Sequence, residues 1–256
     1  MMFFDFLKYY LKAGNAHSIH SPFIFELYTK VYKDFSPNPD FDTVEKVRSV
    51  LKNDSRLIRV EDLGAGSRLN SSPERTMADI ARRSLKSPFW CQFFYRMIRY
   101  YGYKNILELG TSLGITTSYL ALAAPDGKVW TVEGCENTLN VARENFDRLH
   151  LQNIHPVSGN IDLCLSDILE KSTPLDFVLF DANHRYQPTL DYFGQCYPAA
   201  GENSVFVFDD IYWSAEMKQA WQEICSDPRV SLSVDFFHIG LVFFRKGVEK
   251  QHFVLK

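Results

Sequence analysis

The 256-residue chain is 46% hydrophobic and 23% charged, the profile of a water-soluble folded protein with enough length for one substantial core. Its formal net charge of −3 gives no electrostatic reason to expect nucleic acid as a partner, although Arg82, Arg83 and Lys86 form a local basic cluster. Five scattered cysteines without a CxxC spacing argue against a disulfide framework or a thiolate metal centre and predict reduced thiols in a cytoplasmic protein.

The chain opens on Met1 to Lys12, an aromatic-rich run interrupted by Asp5 and Lys8. It reads as an amphipathic helix that packs on the body or on a second copy in a homodimer, not as a leader or a membrane span. Ser21-Pro22 caps and starts a second helix, with Phe23, Leu27 and Val31 at helical spacing. Ser36-Pro37-Asn38-Pro39 stops it, and Asp42 with Glu45 forms a capping box for a third helix through Leu51. His17 and His20 lie in a connection and read as turn residues.

Leu57 to Ser67 then resembles a cofactor loop, an apolar run followed by Gly64-Ala65-Gly66. No apolar helix follows it, and no second strand ends in an acid about twenty residues on, as a nucleotide-binding corner requires. It reads either as a lid over a cofactor or as a glycine turn, followed by a helix from Pro73. Another helix spans Pro88 to Tyr101, with Phe89, Phe93, Met97 and Tyr100 on one stripe.

From Asn105 the pattern alternates. Strands are expected at Ile106–Leu109, Lys128–Glu133, Ile154–Ser158, Phe177–Asp181, Ser204–Asp209, Val230–Phe236 and Gly240–Arg245, with helices between the first six. That predicts an α/β fold: a Rossmann-like, doubly wound, seven-stranded sheet, mostly parallel, closed by an antiparallel edge hairpin. Residues 1–100 would form an N-terminal helical layer and 101–256 the cofactor-binding domain.

Ligands in such sheets bind beyond the carboxyl ends of the strands. Here those ends carry Glu108, Glu133, Asp181 and Asp209-Asp210. Carboxylates repel a pyrophosphate, and no GxGxxG is present at 110–115. They suit a cofactor with an ammonium, a sulfonium and a ribose. Glu108 would face the cationic amino-acid end, and Glu133, 25 residues on, would take the ribose hydroxyls. Gly110 and Gly114, flanking Thr111 and Ser112, allow close backbone approach. Gly159, Asn160 and Ile161 would border the adenine. The set points to S-adenosylmethionine (SAM).

From Asn105 to Lys246 the sequence resembles the class I SAM-dependent methyltransferases, most closely the metal-dependent branch of catechol and caffeoyl-CoA O-methyltransferases. The first motif of that branch, Glu-x-Gly-x-x-x-Gly, matches Glu108 to Gly114, and its ribose acid corresponds to Glu133. The resemblance implies a divalent-cation site, with Asp181 at the fourth tip and the Asp-Asn pair of the family at Asp209-Asp210, so Mg²⁺ on Asp181, Asp209 and Asp210 is expected. In place of the family's lysine base stands His184, which with Asp181 makes the expected catalytic pair. Tyr212, Trp213 and His238 are candidates for the acceptor pocket. The implied activity is metal-assisted methylation of a small-molecule hydroxyl. The alternatives are a metal-independent or non-catalytic SAM-binding protein, or methylation of a modified tRNA base.

Overall fold

The computed structural model describes residues 2–61 and 74–256, so the Gly64-Ala65-Gly66 loop lies outside the described residues. The N-terminal third is helical. Helix α1 (Met2–Lys12) packs on the body rather than standing free. Its Phe6 and Tyr9 rings meet Phe237 at 5.1 and 5.2 Å, and Lys218 Nζ reaches Asp5 at 2.6 Å. Ser21 caps α2 (Pro22–Glu26), which continues as a π-helical turn over Leu27–Tyr32. Helix α3 (Pro39–Lys52) begins three residues before the expected capping box, because Asn38 accepts the Asp40 N–H and Pro39 is pre-shaped for the first helical position.

Strands β1 (Leu57–Arg59) and β2 (Glu74–Thr76) pair as a small antiparallel ribbon. The helix expected from Pro73 therefore starts only at α4 (Met77–Arg83), where the Thr76 hydroxyl accepts the Asp79 N–H. Helix α5 (Pro88–Tyr101) ends on Gly102 in the left-handed region, a common helix stop.

The remainder alternates as expected: β3 (Asn105–Leu109), α6 (Ile115–Ala123), β4 (Lys128–Glu133), α7 (Glu136–Arg148), β5 (Ile154–Ser158), α8 (Ile161–Ser172), β6 (Leu175–Phe180), α9 (Tyr186–Cys196), β7 (Ala200–Asp209), α10 (Ala215–Ser226), β8 (Leu232–Asp235), β9 (Ile239–Phe243) and β10 (Gln251–Val254). The main sheet runs β10-β8-β9-β7-β6-β3-β4-β5. It has eight strands, one more than the sequence predicts. Gln251–Val254 turns back after Gly247 and adds to β8 in parallel, so the antiparallel pair β8–β9 is flanked on both sides and is not the edge. The hydrogen bonds that β10 gives β8 are the physical reason that four residues suffice for a strand.

Alternation along the strands sorts the core into two layers. Ile106, Phe177, Leu179, Val205 and Val207 face α2 to α6, and the N-terminal helices share that core continuously. Leu107, Leu109, Val178, Phe180, Phe206 and Phe208 face α8 to α10. The strand order reverses between β3 and its neighbours β4 and β6, which opens the crevice that ligands use in such sheets.

Candidate active site

The chain leaves β3 through a tight turn at that crevice. Gly110 has φ +106° and Gly114 φ +76°, and Ser112 is also left-handed at +48°. A Cβ on Gly110 would lie 2.3 Å from the Asp181 carbonyl oxygen, so glycine is required where the β3 turn touches the β6 tip. Gly110 and Thr111 donate their N–H groups to Val132 O, and the Thr111 hydroxyl meets that of Thr131 at 2.6 Å. The turn is thereby tied to β4.

Glu133 ends β4 half-buried. Its Oε2 accepts the Ser112 N–H at 2.8 Å and its Oε1 the Cys135 N–H at 3.0 Å. Two backbone donors thus fix the carboxylate beside the glycine turn. Gly159 donates its N–H to Glu133 O, Asn160 caps α8, and Ile161 is buried in its first turn. The β3, β4 and β5 tips therefore form one contiguous rim.

Glu108 is placed differently from its expectation as an open, ionised acid. It is fully buried, and its Oε2 accepts hydroxyls from Thr117 and Thr131 at 2.5 and 2.7 Å. Burial lifts its carboxyl to about 7. Its Oε1 has no hydrogen-bond partner among the described residues. A buried oxygen without a donor beside a glycine turn suits a cofactor that brings an ammonium donor.

The second half of the site lies at the tips of β6 and β7. Ligand atoms of Asp181, His184 and Asp209 all fall within 4.8 Å of one another. His184 Nε2 lies 3.8 Å from Asp181 Oδ1. The loop bearing His184 is held by Asn183, itself left-handed at φ +48°, whose side chain donates to the Tyr192 hydroxyl, which donates in turn to Asp162. Asp210 is not in the group, contrary to the sequence expectation. The chain leaves β7 at Asp209 and turns through the left-handed region at Asp210 (φ +52°), and His184 takes the third place. Burial and the adjacent Asp209 raise the Asp210 carboxyl, and the His184 and His238 imidazoles oppose the rise. Tyr212 stacks on Phe237 at 4.8 Å and donates to Asp235, while Trp213 is 41% exposed at the rim.

One residue of this site is placed by the sequence only in a local basic cluster. Lys86, in the link between α4 and α5, sends its ammonium to Asp209 Oδ2 at 2.5 Å and Asp181 Oδ2 at 3.2 Å, with only 8% of its side chain exposed. It is not part of a basic patch with Arg82 and Arg83, which face outward. Its carbonyl accepts Arg48 Nη1 at 2.7 Å, and the buried Arg48 is itself paired with Glu45 at 2.9 Å. Although burial alone would lower the Lys86 ammonium, Asp181 and Asp209 raise it well above its ordinary range, so it stays charged. Burial and Asp209 push the Asp181 carboxyl up. Asp209, which burial would also raise, is held low by Lys86 and by its hydrogen bond with Asp181.

This arrangement does not fit the expected divalent ion. Mg²⁺ bound between Asp181 Oδ2 and Asp209 Oδ2 would need those oxygens at about 2.1 Å. The ammonium already lies against both, and a divalent charge about 3.5 Å from it would be repelled by roughly 9 kcal/mol at an effective dielectric of 20.

The fold is that of the Rossmann-like methyltransferases, with acids and a glycine turn at the strand tips. Residues 107–211 match the family model described as a methyltransferase domain. The chain is 29% identical over 160 residues to a catechol O-methyltransferase from Niastella koreensis, covering 61% of this chain and 70% of that one. Among solved structures it is similar to an O-methyltransferase from Bacillus cereus in complex with SAH (TM-score 0.56, 21% identity, 82% of this chain and 92% of that one). It is also similar to the O-methyltransferase TomG from Streptomyces achromogenes in complex with SAM (TM-score 0.55, 18% identity, 63% and 82%). These matches make the chain similar to a methyltransferase domain and to O-methyltransferases.

Proposed function

We propose that the protein transfers a methyl group from SAM to a hydroxyl of a small molecule. The observation that carries this reading is the contact between the Gly110 turn and the Asp181 backbone, which brings the cofactor corner against the Asp181–His184–Asp209 cluster. SAM supplies an electrophilic methyl on a sulfonium, so the chain's own work is to align the acceptor and to take up its proton. Glu133 holds the ribose hydroxyls on a carboxylate pre-set by the Ser112 and Cys135 N–H groups. Thr111, Ser112 and Gly114 line the amino-acid and ribose side of the turn. Glu108 Oε1 receives the ammonium that it lacks among the described residues. Gly159, Asn160 and Ile161 border the adenine.

The His184 imidazole removes the acceptor's hydroxyl proton, and Asp181, with Oδ1 3.8 Å from Nε2, lies close enough to offset the charge that results. Trp213 and His238, exposed at the same rim, contact the acceptor. The test is methyl transfer from SAM to a panel of catechols, phenols and polyols, with His184→Asn alongside the wild type. The variant should lose about 10²- to 10⁴-fold in kcat with SAM affinity unchanged. Equal turnover of the two proteins would remove His184 as the base, and SAM binding without product from any acceptor would favour a binding protein.

A further inference from the structure

Lys86 reaches the strand tips from outside the methyltransferase domain match, on a link between two helices of the N-terminal layer. Its side chain is 8% exposed, its carbonyl is fixed by a buried arginine, and its ammonium is the group on which Asp181 and Asp209 converge. A surface lysine has no reason to accept that loss of hydration and of side-chain freedom unless the two carboxylates replace the water. The ion pair in turn keeps the acids oriented toward one point at the crevice. A divalent cation held between the same oxygens would do both things.

We propose that Lys86 is a built-in cation of this active site: its ammonium occupies the position between Asp181 and Asp209 that a metal ion would take, so that methyl transfer here runs without a divalent metal. The inference rests on the methyltransferase reading for its catalytic consequence, but not for the exclusion of the ion. In the transfer itself the acceptor oxygen forms a bond to the methyl carbon while the carbon–sulfur bond breaks. The sulfur keeps the electron pair as the neutral thioether, and the hydroxyl proton passes to His184. Lys86 gives up no proton and gains none. It supplies fixed positive charge where the acceptor oxygen becomes more negative, and it holds Asp181 and Asp209 in place.

The N-terminal layer is then part of the catalytic apparatus and not only a cover. Glu45 and Arg48 on α3 act as positioning residues, because they hold the backbone from which Lys86 reaches inward.

The experiment compares Mn²⁺ binding to the full-length wild type, Lys86→Met and Lys86→Ala by electron paramagnetic resonance, with SAM affinity by calorimetry as the measure of an intact fold. Wild type should take up no Mn²⁺ at millimolar concentration, and its methyl transfer should be unchanged by a chelator. Lys86→Met, which keeps the bulk and removes the charge, should bind one Mn²⁺, and Lys86→Ala should bind it at least as well. Adding Asp209→Asn to either variant should abolish the uptake. Turnover of the Lys86 variants should fall at least tenfold without metal and recover in part with Mn²⁺, a rescue that a purely structural lysine would not give. Stoichiometric Mn²⁺ binding by the wild type, loss of its activity on chelation, or Lys86 variants that retain SAM binding and still take up no ion would each overturn the proposal. A failure of the methyltransferase reading has a different signature, no SAM binding and no product with any of the proteins, and leaves the Mn²⁺ comparison to decide the cation.

Discussion

Replacing Glu108 by glutamine tests whether the buried acid of the first motif is held against its own ionisation. The side chain is fully buried, and its carboxyl is raised from an ordinary 4.5 to about 7 by loss of solvent. An acid whose pKa is raised on folding binds more protons folded than unfolded between those two values. Its contribution to stability is therefore least unfavourable below about pH 4.5, worsens as pH rises through the window, and is fully unfavourable above about 7. Between pH 5 and 8 the change amounts to about 2.5 kcal/mol. For 256 residues, with an unfolding entropy of about 2.1 cal/mol/K per residue, that corresponds to roughly 5 °C in Tm. Glu108→Gln keeps an oxygen to accept the Thr117 and Thr131 hydroxyls but cannot ionise. The prediction concerns the difference in pH slope, because the new amide NH₂ carries a constant cost of about 1–3 kcal/mol if it finds no partner. Differential scanning fluorimetry without cofactor, from pH 5 to 8, should show the wild type losing about 5 °C relative to the variant. Parallel Tm profiles for the two proteins would show that Glu108 ionises in the folded state as it does in water, and the argument from burial would fail.

Three further outcomes follow from the geometry. Glu133→Gln halves a carboxylate held by two N–H donors and should weaken SAM binding about 10- to 100-fold by calorimetry, whereas an unchanged Kd would exclude it as the ribose acid. Gly110→Ala forces a Cβ to 2.3 Å from the Asp181 carbonyl at φ +106°, so it should lower Tm by several degrees and abolish SAM binding; a variant with wild-type Tm and affinity would show that the turn can open. Arg48→Met removes the buried guanidinium that holds the Lys86 carbonyl and should cost about 3 kcal/mol in urea unfolding, with a fall in kcat larger than any change in the KM for SAM. A change in stability alone, with kcat intact, would confine Arg48 to the core.

The glycine turn and the strand tips were legible because their requirements are local. A strand, a glycine turn and a helix must be adjacent in sequence, so Gly110, Ser112 and Gly114 announce their left-handed turn directly. Glu133 is legible because parallel pairing of β3 and β4 fixes which residue ends the neighbouring strand. The strand-tip acids Asp181 and Asp209 are found by the same register rule across β6 and β7. Where the reading erred, the deciding interaction was remote or depended on a side-chain direction. Nothing local in Gln251–Val254 distinguishes a strand from a tail until β8 offers its free edge. The acid pattern at Asp209-Asp210 could not say which carboxylate turns inward, since that depends on a single left-handed φ at Asp210.

Lys86 is the extreme case. Its neighbours in sequence, Arg82 and Arg83, are exposed cations, and composition groups the three together. Only the packing of α3 and α4 against the sheet carries its ammonium 95 residues along the chain to Asp181 and 123 residues to Asp209. The charge of an active site is set by whatever reaches it in space. A strand-tip acid pattern therefore defines where a cation belongs, and the rest of the chain decides whether that cation is an ion from solution or a side chain. In this protein the N-terminal layer answers with a lysine, and the prediction that Lys86→Met opens the acids to Mn²⁺ separates the two cases in a single measurement.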